Sequence, residues 1–227
     1  MSEQPPPPRE LTRAALEADY LRQGLENSAL RHALLTDEQL DRSLHAALAA
    51  APASGDIWLF AYGSLVWNPI VHFAERRVVT VHGFHRRFCL WSRINRGTPA
   101  QPGLVLGLDR GGCCTGVAYR LRADQAEAEL RLLWRREMLL GIYRPRWLSV
   151  ADSTSRLQAL GFAVLHSGPS YAGRLPDEAV VECLCRTAGK LGRGIDYLRS
   201  TIDGLAQAGI TDAYLQRLDA LARALEG

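Results

Sequence analysis

Long hydrophobic runs are missing from the 227-residue sequence, so no membrane span, which needs about 18 or more apolar residues, is expected. The first ten residues, MSEQPPPPRE, also lack the charged-then-apolar pattern of a secretory signal. Cysteines are few and irregularly spaced, and their odd number, five, does not favour a disulfide framework. We therefore expect a cytoplasmic protein with reduced thiols at Cys89, Cys113, Cys114, Cys183 and Cys185.

Lysine is scarce as well: Lys190 is the only one, and the net charge of +3 comes from arginines dispersed along the chain. No run of lysine and arginine exceeds two residues, whereas a nucleic-acid-binding face usually clusters its positive charge. The sequence contains no dinucleotide-binding or phosphate-loop glycine pattern. His82 and His85 face opposite sides of a straight strand, and no cysteine or carboxylate accompanies them at a matching spacing. We expect no nucleic-acid partner, no metal and no cofactor.

The first 54 residues differ in texture from the rest of the chain. Residues 1–10 are rich in proline, and residues 11–25 can form a helix of mixed character. Thr36 and Gln39 form a capping-box pattern before leucines at helical spacing, which predicts a second helix. Residues 49–56, AAPASGD with its flanks, are typical of a linker. We predict a Pro-rich start and helical N-terminal extension over 1–54 and a main domain over 55–227.

The main domain begins with strand patterns and ends with helical ones. Strands are predicted from residue 57, from residue 78 with a bend near Gly83, and on both sides of a β-hairpin turn at Gly111-Gly112. A strong helix over 124–140 and two further strand patterns follow. The remaining sequence predicts three helices, over 177–189, 195–208 and 212–225. This order indicates an α+β domain built on a small sheet or barrel.

Glu137 lies in the middle of the apolar stripe of the predicted helix over 124–140. At 3.6 residues per turn, six apolar residues fall within about 60° of it around the helix axis; they are Ala126, Leu130, Leu133, Trp134, Leu140 and Gly141. A buried, unpaired carboxylate costs several kcal/mol, so this one needs a partner or a task. It can belong to a buried pair with an arginine, or act as a general acid/base of raised pKa in a stripe that faces a pocket.

The stretch LFAYGSLVWNP, residues 59–69, combines a strand with a glycine–serine corner. The nucleophile-elbow pattern G-x-S-x-G needs glycine on both sides of the serine, and the second glycine is missing after Ser64. A covalent serine mechanism is therefore disfavoured. Backbone N–H groups at such a corner can hold a carboxylate or an oxyanion, while the same residues also suit an ordinary turn.

Six motifs follow one another along the chain: FAYGSLVWNP, GFHRRFCLWSRINRGTP, QPG, GVAYRL, LLWRREM and GIDYL. Together they resemble the ChaC-like family of glutathione-specific γ-glutamylcyclotransferases over about residues 57–200. The resemblance implies an α+β, γ-glutamylcyclotransferase-like fold, which is a small mixed β-barrel with surrounding helices. It also implies cleavage of glutathione to 5-oxoproline and Cys-Gly without metal or organic cofactor.

The resemblance assigns roles to particular residues. Glu137, within the W-x-R-E segment, is implied to be the catalytic general acid/base. Substrate-binding roles are implied for the loop Tyr62, Gly63, Ser64 and Leu65, as the floor of a γ-glutamyl pocket, and for Tyr197 of GIDYL. The chain departs from the family at one position, because Leu104 follows Pro-Gly where family members often have arginine.

The departure at Leu104 leaves alternatives open. Arg93 or Arg96 can replace the missing arginine as a partner of the substrate's distal carboxylate, and otherwise the substrate is another γ-glutamyl amino acid or amine. A third possibility is a non-catalytic regulatory or binding module on the same fold. The retention of Glu137 and of the 62–65 loop argues against that possibility, since a module without catalysis has little reason to keep a carboxylate in an apolar stripe.

Overall fold

Five strands close into a barrel in the computed structural model, which describes residues 11–28, 30–52 and 55–226. They are β1 (Ile57–Ala61), β2 (Glu75–Ser92), β3 (Gly103–Leu121), β4 (Tyr143–Ala151) and β5 (Arg156–Val164). Their order is β1-β3-β2-β4-β5. The barrel closes where β1 and β5 pair in parallel, while β1–β3, β2–β3, β2–β4 and β4–β5 are antiparallel. The predicted α+β mixed barrel is therefore confirmed.

The predicted hairpin at Gly111-Gly112 is wrong, because β3 runs through these residues as one strand. Both glycines have positive φ, 95° and 68°, but so does Gly83 of the neighbouring strand at 83°. The register shifts at this point, from His82 opposite Cys113 to Phe84 opposite Arg110. The glycines therefore form a bulge at which two long strands bend together, and the pairing continues on both sides.

Eight helices of the described residues surround the barrel and connect its strands. The N-terminal ones are α1 (Arg13–Glu17), α2 (Tyr20–Glu26) and α3 (Asp37–Ala49), with a 3₁₀ turn at Arg31–Ala33. A single turn, α4 (Ser64–Trp67), follows β1, and α5 (Ala126–Glu137) lies between β3 and β4. The C-terminal helices are α6 (Asp177–Arg186), α7 (Gly194–Gln207) and α8 (Ala213–Glu226), with a ribbon of β6 (Ala188–Gly189) and β7 (Gly192–Arg193) before α7.

The N-terminal helices pack into the same apolar core as the main domain. The helix predicted over 11–25 is split into α1 and α2 at Asp19, whose φ of 55° interrupts the helical backbone. Five leucines of α1–α3 are buried in the main cluster; they are Leu16, Leu21, Leu25, Leu40 and Leu44. A hydrogen bond of 3.1 Å from Trp134 Nε1 to Ser43 Oγ ties α5 to α3. The boundary between residues 54 and 55 stays a prediction, and the Pro-rich start lies outside the described residues.

Helix α4 is held against α7 by close contact. A Cβ atom on Gly204 of α7 would lie 2.6 Å from Trp67 Cβ, so only glycine permits this approach. Trp67 Nε1 also donates a hydrogen bond of 3.2 Å to Thr201 Oγ1. The turn that follows β1 is thereby fixed from the side opposite the barrel.

The capping box of α3 offers a test of the N-terminal helices. Thr36 Oγ1 accepts from Gln39 N at 3.2 Å, and Gln39 Oε1 accepts from Thr36 N at 2.8 Å. We expect Thr36→Ala to lower the free energy of unfolding by about 1 kcal/mol, measured by urea denaturation. Thr36→Ser retains the hydroxyl and should lie close to wild type. Equal destabilisation by both variants would contradict the capping role.

Candidate active site

A cavity of about 160 Å³ opens where the end of α5 meets the turn after β1. A smaller inner recess adjoins it, and Ser64, Glu137, Tyr143 and Tyr197 line both. All six residues assigned roles from the sequence border the recess; they are Tyr62, Gly63, Ser64, Leu65, Glu137 and Tyr197. The fold therefore brings together residues that are up to 135 positions apart in the sequence.

The Glu137 carboxylate is largely withdrawn from solvent, with 13% of its side chain exposed. Burial raises the pKa of Glu137 above its ordinary value, and the positive charge of Arg136 offsets part of that rise. Arg136 Nε lies 3.1 Å from Glu137 Oε1. The carboxylate therefore has an arginine partner, which is its chain neighbour rather than a strand arginine, and it also borders a cavity, while its acid/base role stays a prediction.

Arg136 connects this carboxylate to the turn after β1. Its Nη2 donates to Ser64 Oγ and its Nη1 donates to the Asn68 carbonyl oxygen, both at 2.7 Å. The guanidinium side chain is only 8% exposed. The hydrogen-bond partner of the Ser64 hydroxyl is thus a cation, which cannot take its proton as a base would. A nucleophilic role for this serine is thus disfavoured by its surroundings as well as by its motif.

Tyr197 lies against the turn and is held on several sides. A Cβ atom on Gly63 would lie 3.1 Å from its Oη, so glycine allows the phenol to approach the backbone. The rings of Trp67 and Phe88 contact it edge-on, at centroid distances of 6.3 and 6.0 Å. Arg96 lies over its face, with Cζ 5.2 Å from the ring centroid. Burial raises the pKa of Tyr197 to about 12, so the phenol stays protonated at neutral pH.

Tyr143, the first residue of β4, is a lining residue that the sequence reasoning missed. Burial, followed by the nearby charge of Glu137, raises the pKa of its phenol well above the ordinary value. Tyr62, whose pKa is likewise raised by burial, donates to the Phe162 carbonyl oxygen at 2.9 Å. Tyr143 Oη has no hydrogen-bond partner within the part of the chain that the structure describes. In the sequence, only the position of Tyr143 shortly after the helix that contains Glu137 indicated that it could reach the site.

Two further arginines line the outer cavity. Arg96 Nη1 donates to the Leu191 carbonyl oxygen at 2.5 Å and is buried. Arg93 is partly exposed and has no ion pair or hydrogen bond within residues 11–28, 30–52 and 55–226. Leu104 is fully buried in the apolar core, and it is Val105 that reaches the cavity. Leu11, Leu21, Leu25 and Leu30 of the N-terminal part supply an apolar wall.

The described residues were compared with the requirements of a metal site and of a membrane-spanning helix. Among the described residues, no group of three or more histidines, cysteines and carboxylates is placed to hold a metal ion. His85 Nδ1 lies 2.9 Å from the Gly111 carbonyl oxygen instead. No helix within the described ranges has both the length and the apolar character that crossing a bilayer requires.

The fold is that of γ-glutamylcyclotransferases. A yeast γ-glutamyl cyclotransferase specific to glutathione has a solved structure that superposes with a TM-score of 0.69 at 22% identity, covering 75% of this chain and 97% of that chain. A family model described as ChaC-like protein matches residues 57–225, and the chain belongs to this family. It is 40% identical over 192 residues to the glutathione-specific γ-glutamylcyclotransferase of Escherichia coli (strain K12), covering 84% of this chain and 83% of that one. The human glutathione-specific γ-glutamylcyclotransferase 1 is 34% identical, covering 67% of this chain and 71% of that one.

The raised pKa of Glu137 predicts that its ionised carboxylate lowers the free energy of unfolding at neutral pH. A carboxyl whose pKa is higher in the folded state stabilises the fold only while protonated, so this contribution is lost as the pH rises through the folded pKa. Glu137→Gln keeps an acceptor for Arg136 and removes the buried charge. We expect its melting temperature at pH 7 to exceed that of wild type, by roughly 2–4 °C per kcal/mol. The difference should shrink as the pH is lowered below the folded pKa.

Glu129 of the same helix is a matched control with the opposite sign. Burial pushes its pKa up, but hydrogen bonds from Arg13 at 2.6 Å and from His72 N at 3.1 Å outweigh burial, and the pKa lies below its ordinary value. Its ionised form stabilises the fold above the unfolded pKa, and this stability is lost as the pH falls. Glu129→Gln should therefore lower the melting temperature at pH 7. Scanning calorimetry between pH 3 and about 8 measures both variants, and shifts of the same sign would contradict the assignment.

Proposed function

We propose that this protein cleaves glutathione by cyclising its γ-glutamyl group, releasing 5-oxoproline and Cys-Gly. The relatives described above carry the name glutathione-specific γ-glutamylcyclotransferase, which supports the substrate. The single observation that supports the chemistry is the position of Glu137, a buried carboxylate of raised pKa beside the 62–65 turn. The reaction is expected in the cytoplasm, without a cofactor and without a nucleic-acid or membrane partner.

The proposed mechanism is intramolecular. The α-amino nitrogen of the γ-glutamyl group attacks its own γ-carbonyl carbon, and the new C–N bond closes a five-membered ring. Glu137 takes one proton from the ammonium and so frees the amine that attacks. The ring nitrogen loses a second proton as the ring forms, and both protons pass by way of Glu137 to the cysteine nitrogen, which leaves as an ammonium when the amide bond breaks. Since both reacting groups belong to one molecule, the protein must mainly hold the chain folded and move protons from the attacking nitrogen to the leaving one. A carboxylate of raised pKa can perform both proton transfers near neutral pH.

The turn after β1 suits the task of holding the γ-glutamyl end. The N–H groups of Gly63, Ser64 and Leu65 precede or open α4 and therefore have no intrahelical acceptor. They are available for the substrate's α-carboxylate or for the oxyanion that develops at the γ-carbonyl. Tyr143 and Tyr197, both protonated, add phenolic donors in the same recess. Tyr143 is thus proposed as a further substrate-binding residue.

The outer cavity suits the second carboxylate of glutathione. Arg93 has no acidic partner among the described residues, and the guanidinium of Arg96 is committed to Leu191 and to the ring of Tyr197. Arg93 is therefore the better candidate for binding the glycine carboxylate, in place of the arginine that Leu104 replaces. An arginine–carboxylate pair also offers two parallel hydrogen bonds, which orient the bound chain.

The role of Glu137 is tested by turnover. General acid/base catalysis contributes about 10²–10⁴-fold, so Glu137→Gln should lower kcat by that factor while glutathione binding, measured by calorimetry, remains. Wild-type protein should convert glutathione to 5-oxoproline and Cys-Gly, detected by mass spectrometry.

Ser64→Ala is the matched control within the same recess. It should weaken glutathione binding and leave the chemical step measurable. Full activity of Glu137→Gln would refute the acid/base assignment. Complete loss of turnover in Ser64→Ala, together with an acyl-enzyme trapped at Ser64 of the wild-type protein, would instead support a serine nucleophile.

The substrate's second carboxylate is tested at Arg93. A hydrogen-bonded ion pair is worth about 1.5–3 kcal/mol, so Arg93→Ala should raise KM for glutathione about tenfold or more, with a smaller change in kcat. A γ-glutamyl alkylamide, which lacks that carboxylate, should be turned over equally by both proteins. Because Leu104 stands where family members often have arginine, another γ-glutamyl amino acid remains a possible substrate. Turnover of γ-glutamyl-alanine should therefore be compared with turnover of glutathione. An unchanged KM for glutathione in Arg93→Ala would contradict the assignment.

A further inference from the structure

A second cavity, of about 200 Å³, opens at the end of the barrel where β4 begins and β5 ends. Arg110 of β3 and Arg144 and Arg146 of β4 line it, and we call it the arginine pocket. It shares no lining residue with the candidate active site. Successive side chains of a strand point to opposite faces, so Arg144 and Arg146 lie on the face of β4 away from Tyr143.

The three arginines are not neutralised by the protein. None of them forms an ion pair with a carboxylate within the described residues. By contrast, many other arginines do so, as Arg120 does with both Asp56 and Glu75. All three arginines are exposed residues that line the same cavity, so their positive potentials add up around it.

Asp109, the chain neighbour of Arg110, is already committed to other partners. It is 4% exposed and lies 2.6 Å from His166 Nε2, 3.1 Å from Tyr171 Oη and 3.7 Å from Arg87 Nη1. Burial pushes the pKa of Asp109 up, but these hydrogen bonds outweigh burial and hold the pKa below its ordinary value. An ionised Asp109 accepts hydrogen bonds only, so His166 Nε2 carries the proton. The charge of Asp109 is thus satisfied from within, beneath the pocket.

The pocket has room for an anion between the arginines. A small residue, Ala163 of β5, lies opposite Arg144 and lines the pocket. Phe84 lines one side and packs against the apolar interior of the barrel, while the Ser167 side chain lines another. The volume is several times the roughly 30 Å³ that one water molecule occupies in the liquid.

We propose that the arginine pocket binds the phosphate group of a small molecule, a phosphomonoester or a diphosphate, separately from the γ-glutamyl substrate. Each guanidinium offers a planar fork of N–H donors that matches phosphate oxygens. A tetrahedral anion between the strands contacts Arg110 on one side and Arg144 and Arg146 on the other, with the Ser167 hydroxyl as a further donor.

Pyrophosphate is the probe, titrated into full-length protein by calorimetry in chloride buffer at constant ionic strength. Wild type should bind one pyrophosphate per chain. Arg144→Ala/Arg146→Ala should weaken binding about tenfold or more, because each charge-assisted contact is worth about a tenfold change. Arg110→Ala provides a second, single variant on a different strand. Circular dichroism and melting temperature establish that each variant is folded.

Matched controls separate this site from general attraction to positive charge. Arg42→Ala/Arg156→Ala removes the same charge from exposed arginines outside the pocket and should bind pyrophosphate as wild type does. Saturating glutathione should not displace pyrophosphate. The proposal is overturned by absence of saturable binding, by equal weakening in the control pair, or by displacement with glutathione. Arginine-dependent binding of duplex DNA or anionic vesicles, without binding of pyrophosphate, would also overturn it in favour of a macromolecular ligand.

Discussion

The candidate active site depends on one guanidinium, that of Arg136. Its Nε pairs with the Glu137 carboxylate, and its two Nη atoms donate to the Ser64 hydroxyl and the Asn68 carbonyl oxygen. Without it, the desolvated carboxylate would strongly favour protonation, and the turn after β1 would lose its link to α5. With it, burial still raises the pKa of Glu137, but the arginine limits the rise. The acid/base role proposed for Glu137 requires such a balance, because the group would both accept and return a proton.

The arrangement requires a scaffold that fixes two distant chain segments. Arg136 and Ser64 are 72 residues apart, so their hydrogen bond forms only if α5 and β1 have settled positions. Strand β1 is paired on both sides, with β3 and with β5, which fixes where the turn begins. Helix α5 is held by Trp134, which packs on Phe162 at a ring distance of 5.3 Å and bonds to Ser43. The barrel and the N-terminal helices thus both contribute to the geometry of the site.

Glu137 could be singled out from the sequence because helical periodicity depends only on residues close together in the chain. A charged residue in an apolar stripe can be recognised without knowing what the helix packs against. Gly111 and Gly112 led to the wrong prediction of a hairpin turn, because a turn and a bulge need the same positive φ. Only the bend at Gly83 in the partner strand distinguishes the two structures. The position of Tyr143 at the site and the contacts of Arg136 could not be predicted from the sequence, for a related reason. Their importance lies in contacts with chain segments far away, which the spacing of neighbouring residues does not encode.

The distribution of arginines in the fold could not be predicted from neighbouring residues in the sequence either. The arginines are dispersed along the chain, yet closure of the barrel gathers Arg110, Arg144 and Arg146 around one cavity, while Arg93 and Arg96 line another. The two cavities take adjacent residues of β4, Tyr143 and Arg144, whose side chains point to different sides of the strand. In the first cavity a carboxylate and a cation already compensate one another, and the further arginines that line it suit the second negative charge of the proposed substrate. In the second cavity no carboxylate of the described residues pairs with the arginines, and the proposed phosphate ligand would supply the compensating charge.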